Sequence, residues 1–281
     1  MQVADAMTPR ADVVTVELPG TRDDALEYLQ ERGFSSVPVV KLTDDGEEYR
    51  GLVSRDDLIE NADEDQLALL MREVPTTTAD ADLGDVVRMM VAEDARRVPV
   101  VDGELEGILT VTDVVRAIAR GDVDGETPAD ELATREVNAA YAGTPLTVAE
   151  RELHYANVPY AVVLGDDGDM VGMLTEVDVI EVARVVEGED ATGESLANED
   201  DEWMWEGIKA VGNRYLPTRN VEIPAEPVET FMSDEVVTVS GSKTAREIAR
   251  TMLSNDIEQV PLVNGGSLVG IVRDVDLLEA V

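Results

Sequence analysis

The heptapeptide GILTVTD at residues 107–113 decides the fold, because nearly the same string recurs three more times along the chain. The other copies are GLVSRDD at 51–57, GMLTEVD at 172–178 and GIVRDVD at 270–276. Each copy predicts a buried strand that begins at a glycine, followed by a hydroxyl residue and, three positions on, by an acid in the first turn of a helix. In the last copy an arginine replaces the hydroxyl residue. One structural unit is therefore repeated four times.

A Val-Pro pair inside an apolar run precedes each copy and marks a second strand. The pairs are Val37-Pro38, Val98-Pro99, Val158-Pro159 and Val260-Pro261. A third marker, Met7, Met71 or Met232, opens three of the units, and residues 131–137 hold the matching place in the remaining unit without a methionine. Four copies of a unit of about 55 residues, each with the order strand, helix, strand, strand, helix, account for most of the chain.

These markers divide the chain into four repeats and one insert. The predicted boundaries are 1–62 for repeat 1, 66–122 for repeat 2, 127–186 for repeat 3, 187–226 for the insert and 227–281 for repeat 4.

The insert has two parts. Residues 187–202 are strongly acidic, which indicates a solvated linker. Residues 203–220 interleave aromatic and basic side chains: Trp203, Trp205, Lys209, Arg214, Tyr215 and Arg219. This second part is either a segment that contacts a phosphate or docks a partner protein, or an amphipathic helix that packs its tryptophans on the second half of the chain.

Composition limits the class of protein. With 281 residues, 44% of them hydrophobic, the chain can bury one or two cores. The absence of cysteine excludes disulfide scaffolds and thiolate sites, and we expect a structural role for His154, the single histidine. No phosphate-cradling glycine loop, metal-ligand spacing or pairing of a nucleophile with a base is present, so we expect neither an enzyme nor a metal site.

The charge is extreme, with 61 acidic against 22 basic residues and a net charge of −39. Self-repulsion on this scale destabilises a compact fold in dilute buffer, whereas molar salt shortens the Debye length to about 3 Å. The charge therefore indicates adaptation to a salt-rich, halophilic cytoplasm. Because no basic stripe exists, we expect no nucleic-acid binding. Without a long apolar run or a hydrophobic signal region, we expect no membrane span and a cytoplasmic location.

The Val-Pro strand, the glycine and the Ser/Thr-x-x-Asp ending together resemble the CBS domain (cystathionine β-synthase motif). The resemblance implies an α+β fold of β-α-β-β-α repeats, paired through their sheets into two Bateman modules and arranged as a disc similar to the γ subunit of AMP-activated kinase. Repeats 1 and 2 are expected to form one module, and repeats 3 and 4 the other. The resemblance also implies adenine nucleotides in the clefts between paired repeats, and it leaves a homodimer open.

The resemblance assigns the hydroxyl and the acid of the motif to the ribose of the nucleotide. A carboxylate can accept hydrogen bonds from both ribose hydroxyls. The implied ribose-binding residues are Ser54, Asp57, Thr110, Asp113, Thr175, Asp178 and Asp276. The same spacing is also a helix-capping arrangement, and the two roles can coexist.

Phosphate groups need positive charge, and this chain has few bases. Arg96 and Arg97 precede the Val-Pro strand of repeat 2, where the family places phosphate-contacting residues, so the first module is expected to bind a phosphorylated ligand. At the matching place the other repeats have Ser35-Ser36, Ala156-Asn157 and Glu258-Gln259. Arg273 is a third candidate, and its repeat is expected to be empty, altered or phosphate-binding. The alternative for Arg96 and Arg97 is a surface ion pair with nearby acids.

Two classes of function remain open. The first is a non-catalytic sensor in which AMP, ADP or ATP shifts the population of module arrangements that a partner protein reads. The second is an interaction scaffold with vestigial sites that docks a partner through residues 203–220. S-adenosylmethionine is a further ligand option, because it shares the adenosine part and carries a cation that an acidic cleft tolerates. No obligatory cofactor is expected in any of these cases.

Overall fold

The computed structural model describes residues 1–25, 36–44, 46–54, 57–58, 61, 64–156, 158–182, 184–185, 208–211, 214–217 and 221–281. The strands are β1 (Thr8–Pro9), β2 (Val16–Leu18), β3 (Ser36–Thr43), β4 (Gly46–Ser54), β5 (Arg97–Asp102), β6 (Glu104–Thr110), β7 (Ala139–Tyr141), β8 (Tyr160–Leu164), β9 (Met170–Thr175), β10 (Arg184–Val185), β11 (Ile208–Val211), β12 (Arg214–Pro217), β13 (Val221–Glu222), β14 (Val239–Ser240), β15 (Gln259–Asn264) and β16 (Ser267–Arg273). The α-helices are α1 (Leu67–Leu70), α2 (Leu83–Ala92), α3 (Val111–Arg120), α4 (Ala129–Leu132), α5 (Leu146–Ala156), α6 (Glu176–Val182) and α7 (Ala245–Asn255). Short 3₁₀ helices cover Val3–Asp5, Arg10–Asp12, Val228–Thr230 and Asp274–Ala280.

Repeat 2 shows how the sequence forms the unit. The helix α2 begins where the side chain of Asp82 accepts a hydrogen bond from the amide of Gly84. The hairpin of β5 and β6 turns at Gly103, whose φ of +77° lies in the left-handed region that favours glycine. The helix α3 follows β6 directly. The predicted order is confirmed, although the first strand is reduced to one parallel bridge between Thr77 and Val100.

The other repeats follow the same order with two differences. In repeat 1 the two hairpin strands are longer than in repeat 2, because β3 continues to Thr43 and β4 begins at Gly46. In repeat 4 the final helix, Asp274–Ala280, is a 3₁₀ helix. Two helices are predicted for repeat 1, and most of their residues lie outside the described part of the chain.

Strand register corrects the marker of repeat 3. Val98 and Pro99 of repeat 2 pair with Leu109 and Ile108, one and two positions before Thr110. At the corresponding places of repeat 3, opposite Leu174 and Met173, the residues are Ala161 and Val162. The Val158-Pro159 pair therefore precedes the strand, and the assignment of Ala156-Asn157 as the counterpart of Arg96-Arg97 is wrong. The counterpart is Pro159-Tyr160, because the amide of Glu176 donates to the carbonyl of Pro159 as that of Val111 does to Arg96.

The segments that open the repeats are exchanged within the predicted pairs. We call residues 3–9, 67–73, 129–135 and 228–234 the lead segments. The lead segment of repeat 1 lies on the sheet of repeat 2 and that of repeat 2 on the sheet of repeat 1, and repeats 3 and 4 show the same reciprocal arrangement. The antiparallel pairs are Thr8 with Ile108, Arg72 with Leu52, Thr134 with Ile271 and Ser233 with Met173.

This exchange explains the glycine of the motif. A methyl group at any of the four motif glycines would lie within 3.0 Å of a backbone carbonyl oxygen of the crossing lead segment. The glycines are Gly51, Gly107, Gly172 and Gly270. Close backbone approach therefore requires a residue without a side chain at these positions.

The chain separates into two compact units, residues 1–136 with 237–281 and residues 137–236. In the first unit one apolar core contains side chains of α2, β5, β6 and α3 from repeat 2 together with α7 and β15 from repeat 4. Helix α3 packs against α7. Repeat 1 has a separate apolar cluster. The second unit has its own core, formed by side chains of repeat 3 and by Val228 from the lead segment of repeat 4.

The insert differs from the predicted amphipathic helix. Strands β11 and β12 form an antiparallel hairpin, so the helix is wrong for Lys209, Arg214 and Tyr215, which lie in these strands. Residues 187–202, Trp203, Trp205 and Arg219 lie outside the described residues. Across the described part of the chain, no helix combines the length and the apolar character needed to cross a bilayer.

Candidate functional site

In the three motifs that have a hydroxyl residue, this residue and the acid cap the helix that follows. In repeat 2 the amide and hydroxyl of Thr110 donate to Oδ2 of Asp113 at 3.0 and 2.7 Å, and the amide of Asp113 donates back to the hydroxyl at 3.2 Å. Ser54 with Asp57 and Thr175 with Asp178 form the same three hydrogen bonds. The predicted capping role is therefore present in all three copies that have a hydroxyl residue, and it holds the carboxylate in one orientation.

The motifs of repeats 2, 3 and 4 differ in which group donates a hydrogen bond to Oδ1 of the motif acid. In repeat 2, Oδ1 of Asp113 accepts a hydrogen bond from Arg116 at 2.7 Å. In repeat 4, Arg273 donates to both oxygens of Asp276, through Nε at 3.1 Å and Nη2 at 2.6 Å. In repeat 3, none of the side chains that the structure describes donates to Oδ1 of Asp178. The motif of repeat 3 thus has an oriented carboxylate with an acceptor oxygen facing no described donor, whereas that of repeat 4 is closed by its own arginine.

The two arginines before the strand of repeat 2 face different motifs. Arg97 is the cross-strand neighbour of Thr110, so it lies beside the motif of its own repeat. Arg96 instead lies against repeat 4, where its guanidinium donates to Asp274 at 2.6 and 3.3 Å. The alternative expected for Arg96 is a surface ion pair with nearby acids. Arg96 does form an ion pair, but its partner Asp274 is largely buried and belongs to repeat 4.

A cavity of about 150 Å³ lies between repeats 2 and 4. Its walls include Met90, Val91 and Arg96 from repeat 2 and Arg273, Asp276 and Leu278 from repeat 4. Three of the residues predicted to bind ligand, Arg96, Arg273 and Asp276, are therefore brought together although they come from two repeats. Asp94 and Glu279 also line the cavity, so its wall is acidic despite the two arginines.

Acids from repeats 2 and 4 raise the pKa of Arg96. Burial by itself would lower the pKa of Arg96, but attraction by Asp274, Glu258 and Asp94 outweighs burial and holds that pKa above its ordinary value. Asp274 is 10% exposed, and its Oδ1 also accepts a hydrogen bond from the amide of Val275. The Arg96–Asp274 pair is therefore a fixed, largely desolvated contact between two repeats.

One residue of the site was missed by sequence reasoning. Arg72 follows the marker Met71, and the exchange of lead segments brings its Nε to 3.5 Å from Oδ2 of Asp57 in repeat 1. The sequence did contain a signal for Arg72, namely a basic residue at a position where the other lead segments have a hydroxyl residue. The corresponding residues in the other lead segments are Thr8, Thr134 and Ser233, so Arg72 is the only base among the four.

Other candidates remain outside these motifs. His154 lies in the last turn of α5, half-buried, with its ring 5.5 Å from that of Tyr155. Among the described residues, no cluster of His, Cys, Asp and Glu could hold a metal ion.

The chain is built from four repeats with the order strand, helix, strand, strand, helix. Paired repeats exchange their lead segments, and an acid lies in the first turn of the last helix of each repeat. These features define a class of modular repeat proteins. Residues 3–64, 67–120, 129–184 and 228–281 each match the CBS domain. The chain belongs to the CBS domain family, and the resemblance identified from its motifs is confirmed. Its fold, four CBS repeats of the kind that form Bateman pairs, is confirmed as well.

Two archaeal relatives span almost the whole chain. The uncharacterised protein MJ1404 of Methanocaldococcus jannaschii is 28% identical over 270 residues, which cover 95% of this chain and 59% of that protein. The chain thus spans little more than half the length of this relative. MJ1225 of the same organism is 24% identical over 293 residues, covering 95% of this chain and 94% of that protein.

Two solved structures have the same fold over their full lengths. A conserved protein from Pyrococcus horikoshii superposes with a TM-score of 0.70 at 26% identity, covering 99% of both chains. The crystal structure of MJ1225, described as a candidate archaeal homolog of γ-AMPK, superposes with a TM-score of 0.67 at 21% identity, again covering 99% of both chains.

Proposed function

We propose that the protein is a non-catalytic regulatory sensor that binds adenine nucleotides, AMP, ADP or ATP, and signals to a partner protein. Membership of the CBS domain family and the similarity to MJ1225 support this class of function. The observation that carries the proposal is the carboxylate of Asp178, which Thr175 holds in place while Oδ1 faces no described donor. Such an oxygen can accept hydrogen bonds from the adjacent hydroxyls of a ribose.

The proposed ribose sites are the hydroxyl-acid pairs of repeats 1, 2 and 3. In repeat 2, Arg116 is exposed enough to move away from Asp113, and Arg97 beside Thr110 is the proposed phosphate contact. Repeat 4 does not bind ribose in this proposal, because Arg273 occupies both oxygens of Asp276. Arg96 and Arg273, each paired with an acid, line the cavity between repeats 2 and 4.

Calorimetric titration with AMP, ADP and ATP in molar potassium chloride tests the proposal, because salt screens the self-repulsion of the chain. Asp178→Asn should remove one binding site per chain. Asp276→Asn is the matched control, since it removes the same capping acid from repeat 4 and should leave nucleotide binding unchanged. Unchanged stoichiometry in Asp178→Asn, or equal losses in both variants, would contradict the assignment of the ribose site.

The acidic cavity favours a second ligand, S-adenosylmethionine. Each arginine in its wall is already paired with a carboxylate, Arg96 with Asp274 and Arg273 with Asp276, and Asp94 and Glu279 add negative charge. A cationic sulfonium is better tolerated there than a polyphosphate. Titration with S-adenosylmethionine under the same conditions separates the two ligands. If neither ligand binds, the scaffold function replaces the sensor.

A further inference from the structure

The position of Arg72 is fixed by the backbone of another repeat. Its amide donates to the carbonyl of Leu52 at 2.9 Å and its carbonyl accepts from the amide of Leu52 at 3.0 Å. Leu52 lies two residues before Ser54, so the lead segment of repeat 2 crosses repeat 1 immediately beside the motif. The side chain of Arg72 is 58% exposed and reaches toward Asp57.

The contact between Arg72 and Asp57 is an ion pair without a hydrogen bond. Oδ2 of Asp57 already accepts hydrogen bonds from the amide and hydroxyl of Ser54 at 2.7 and 2.5 Å, whereas Nε of Arg72 stays at 3.5 Å. Among the residues that the structure describes, none accepts a hydrogen bond from the guanidinium of Arg72. The guanidinium is thus a largely exposed cation next to an oriented hydroxyl-acid pair.

We propose that Arg72 is a specificity-determining residue that contacts the phosphate group of a ligand bound in repeat 1. This inference rests on the proposed function, in which Ser54 and Asp57 bind the ribose. A guanidinium can donate two parallel N–H groups to phosphate oxygens, which a threonine or serine at the same position cannot do. The corresponding residues in the other lead segments are Thr8, Thr134 and Ser233. Of the four lead segments, therefore, only the one that crosses repeat 1 supplies a guanidinium at this position, and it makes repeat 1 prefer a nucleoside monophosphate over a nucleoside.

Arg72→Thr tests the proposal by giving repeat 1 the residue type found in other lead segments. AMP and adenosine are titrated separately, because they differ only in the phosphate group. Loss of one charge-assisted contact should weaken AMP binding at one site per chain by about tenfold and leave adenosine binding unchanged. Arg88→Thr is the matched control, since it removes a similarly exposed charge from α2, away from the motif, and should change neither affinity.

A gain of function provides the reciprocal test. Ser233 crosses Met173 as Arg72 crosses Leu52, so Ser233→Arg places a guanidinium beside the motif of repeat 3. AMP should then bind more tightly at one site, with adenosine unchanged.

Four outcomes would overturn the inference. Equal weakening of AMP and adenosine in Arg72→Thr would mean that Arg72 only orients Asp57. Tighter binding of both ligands would mean that Arg72 competes with the ribose for Asp57. Unchanged AMP binding would remove Arg72 from the site while leaving the proposed function intact, whereas failure of AMP to bind the unaltered protein would overturn both.

Discussion

The ion pair between Arg96 and Asp274 offers a direct test of how repeats 2 and 4 are held together. The two side chains are separated by 178 positions in the sequence and joined by two hydrogen bonds, at 2.6 and 3.3 Å. Replacing Asp274 by alanine leaves the guanidinium of Arg96 partly buried without its main partner. It also removes the acceptor for the amide of Val275. We therefore expect both single variants to lower the free energy of unfolding.

The size of the expected coupling energy follows from how far Arg96 and Asp274 are buried. Fully exposed pairs contribute about 0.2–1 kcal/mol, and breaking a fully buried pair costs about 3–5 kcal/mol. With Asp274 10% and Arg96 31% exposed, the pair lies between these limits. We expect a coupling energy of about 1.5 kcal/mol and a loss of about 2 kcal/mol for Asp274→Ala alone. The coupling should survive in molar salt, because screening acts less on partly buried charges.

A double-mutant cycle measures this coupling. Arg96→Ala, Asp274→Ala and the double variant are unfolded with urea, which keeps ionic strength constant, and the free energies of unfolding are compared. The exposed pair of Arg88 and Asp85 is the control and should show a coupling below about 0.5 kcal/mol. A coupling no larger than that of the control would refute the reasoning, because this pair would then contribute no more than an exposed pair to holding repeats 2 and 4 together.

Three further outcomes are expected. Gly107→Ala should lower the free energy of unfolding by about 2 kcal/mol, because the added methyl group collides with the exchanged lead segment; Gly84→Ala, in α2, should not lower it. Ile248→Ala, in the core shared by repeats 2 and 4, should cost about 3 kcal/mol in urea unfolding. A hydrogen bond from Arg10 lowers the pKa of Glu47 in the folded protein. Glu47 therefore stabilises the fold fully at pH values above its unfolded pKa of about 4.3, and this contribution is lost as the pH falls through its lower pKa in the folded protein. Glu47→Gln should therefore be less stable than the unaltered protein at neutral pH, and urea unfolding should show the difference shrinking in acid; a constant difference would contradict this cause.

Local features of this protein were predictable because they depend on residues close in sequence. The capping of helices by Thr110 with Asp113 and by Thr175 with Asp178 requires only a spacing of three residues and two side-chain types. The order of strands and helices in repeat 2 follows from apolar periodicity and from a turn at Gly103. The fourfold repetition then extended one well-patterned unit to the whole chain, including repeat 4, whose final helix differs only in being 3₁₀.

The strand register of repeat 3 and the secondary structure of the insert were predicted less well from the sequence. Val158-Pro159 has the right residues for the strand marker, but hydrogen bonding places Ala161 and Val162 there instead. The strands Ile208–Val211 and Arg214–Pro217 likewise carry a pattern that also fits an amphipathic helix, because a short apolar run does not distinguish a strand from a helix. In both places the outcome depends on which backbone groups pair across the fold.

The sequence by itself determined the repeats, their capped motifs and the family, because each of these is encoded within about 55 consecutive residues. The tertiary structure alone decided which residues share a site. Arg72 reaches Asp57 only because lead segments are exchanged between repeats, and Arg96 meets Asp274 only because repeat 2 packs on repeat 4. Contacts between distant segments depend on the packing of whole apolar faces, and no local pattern in the sequence specifies which faces meet.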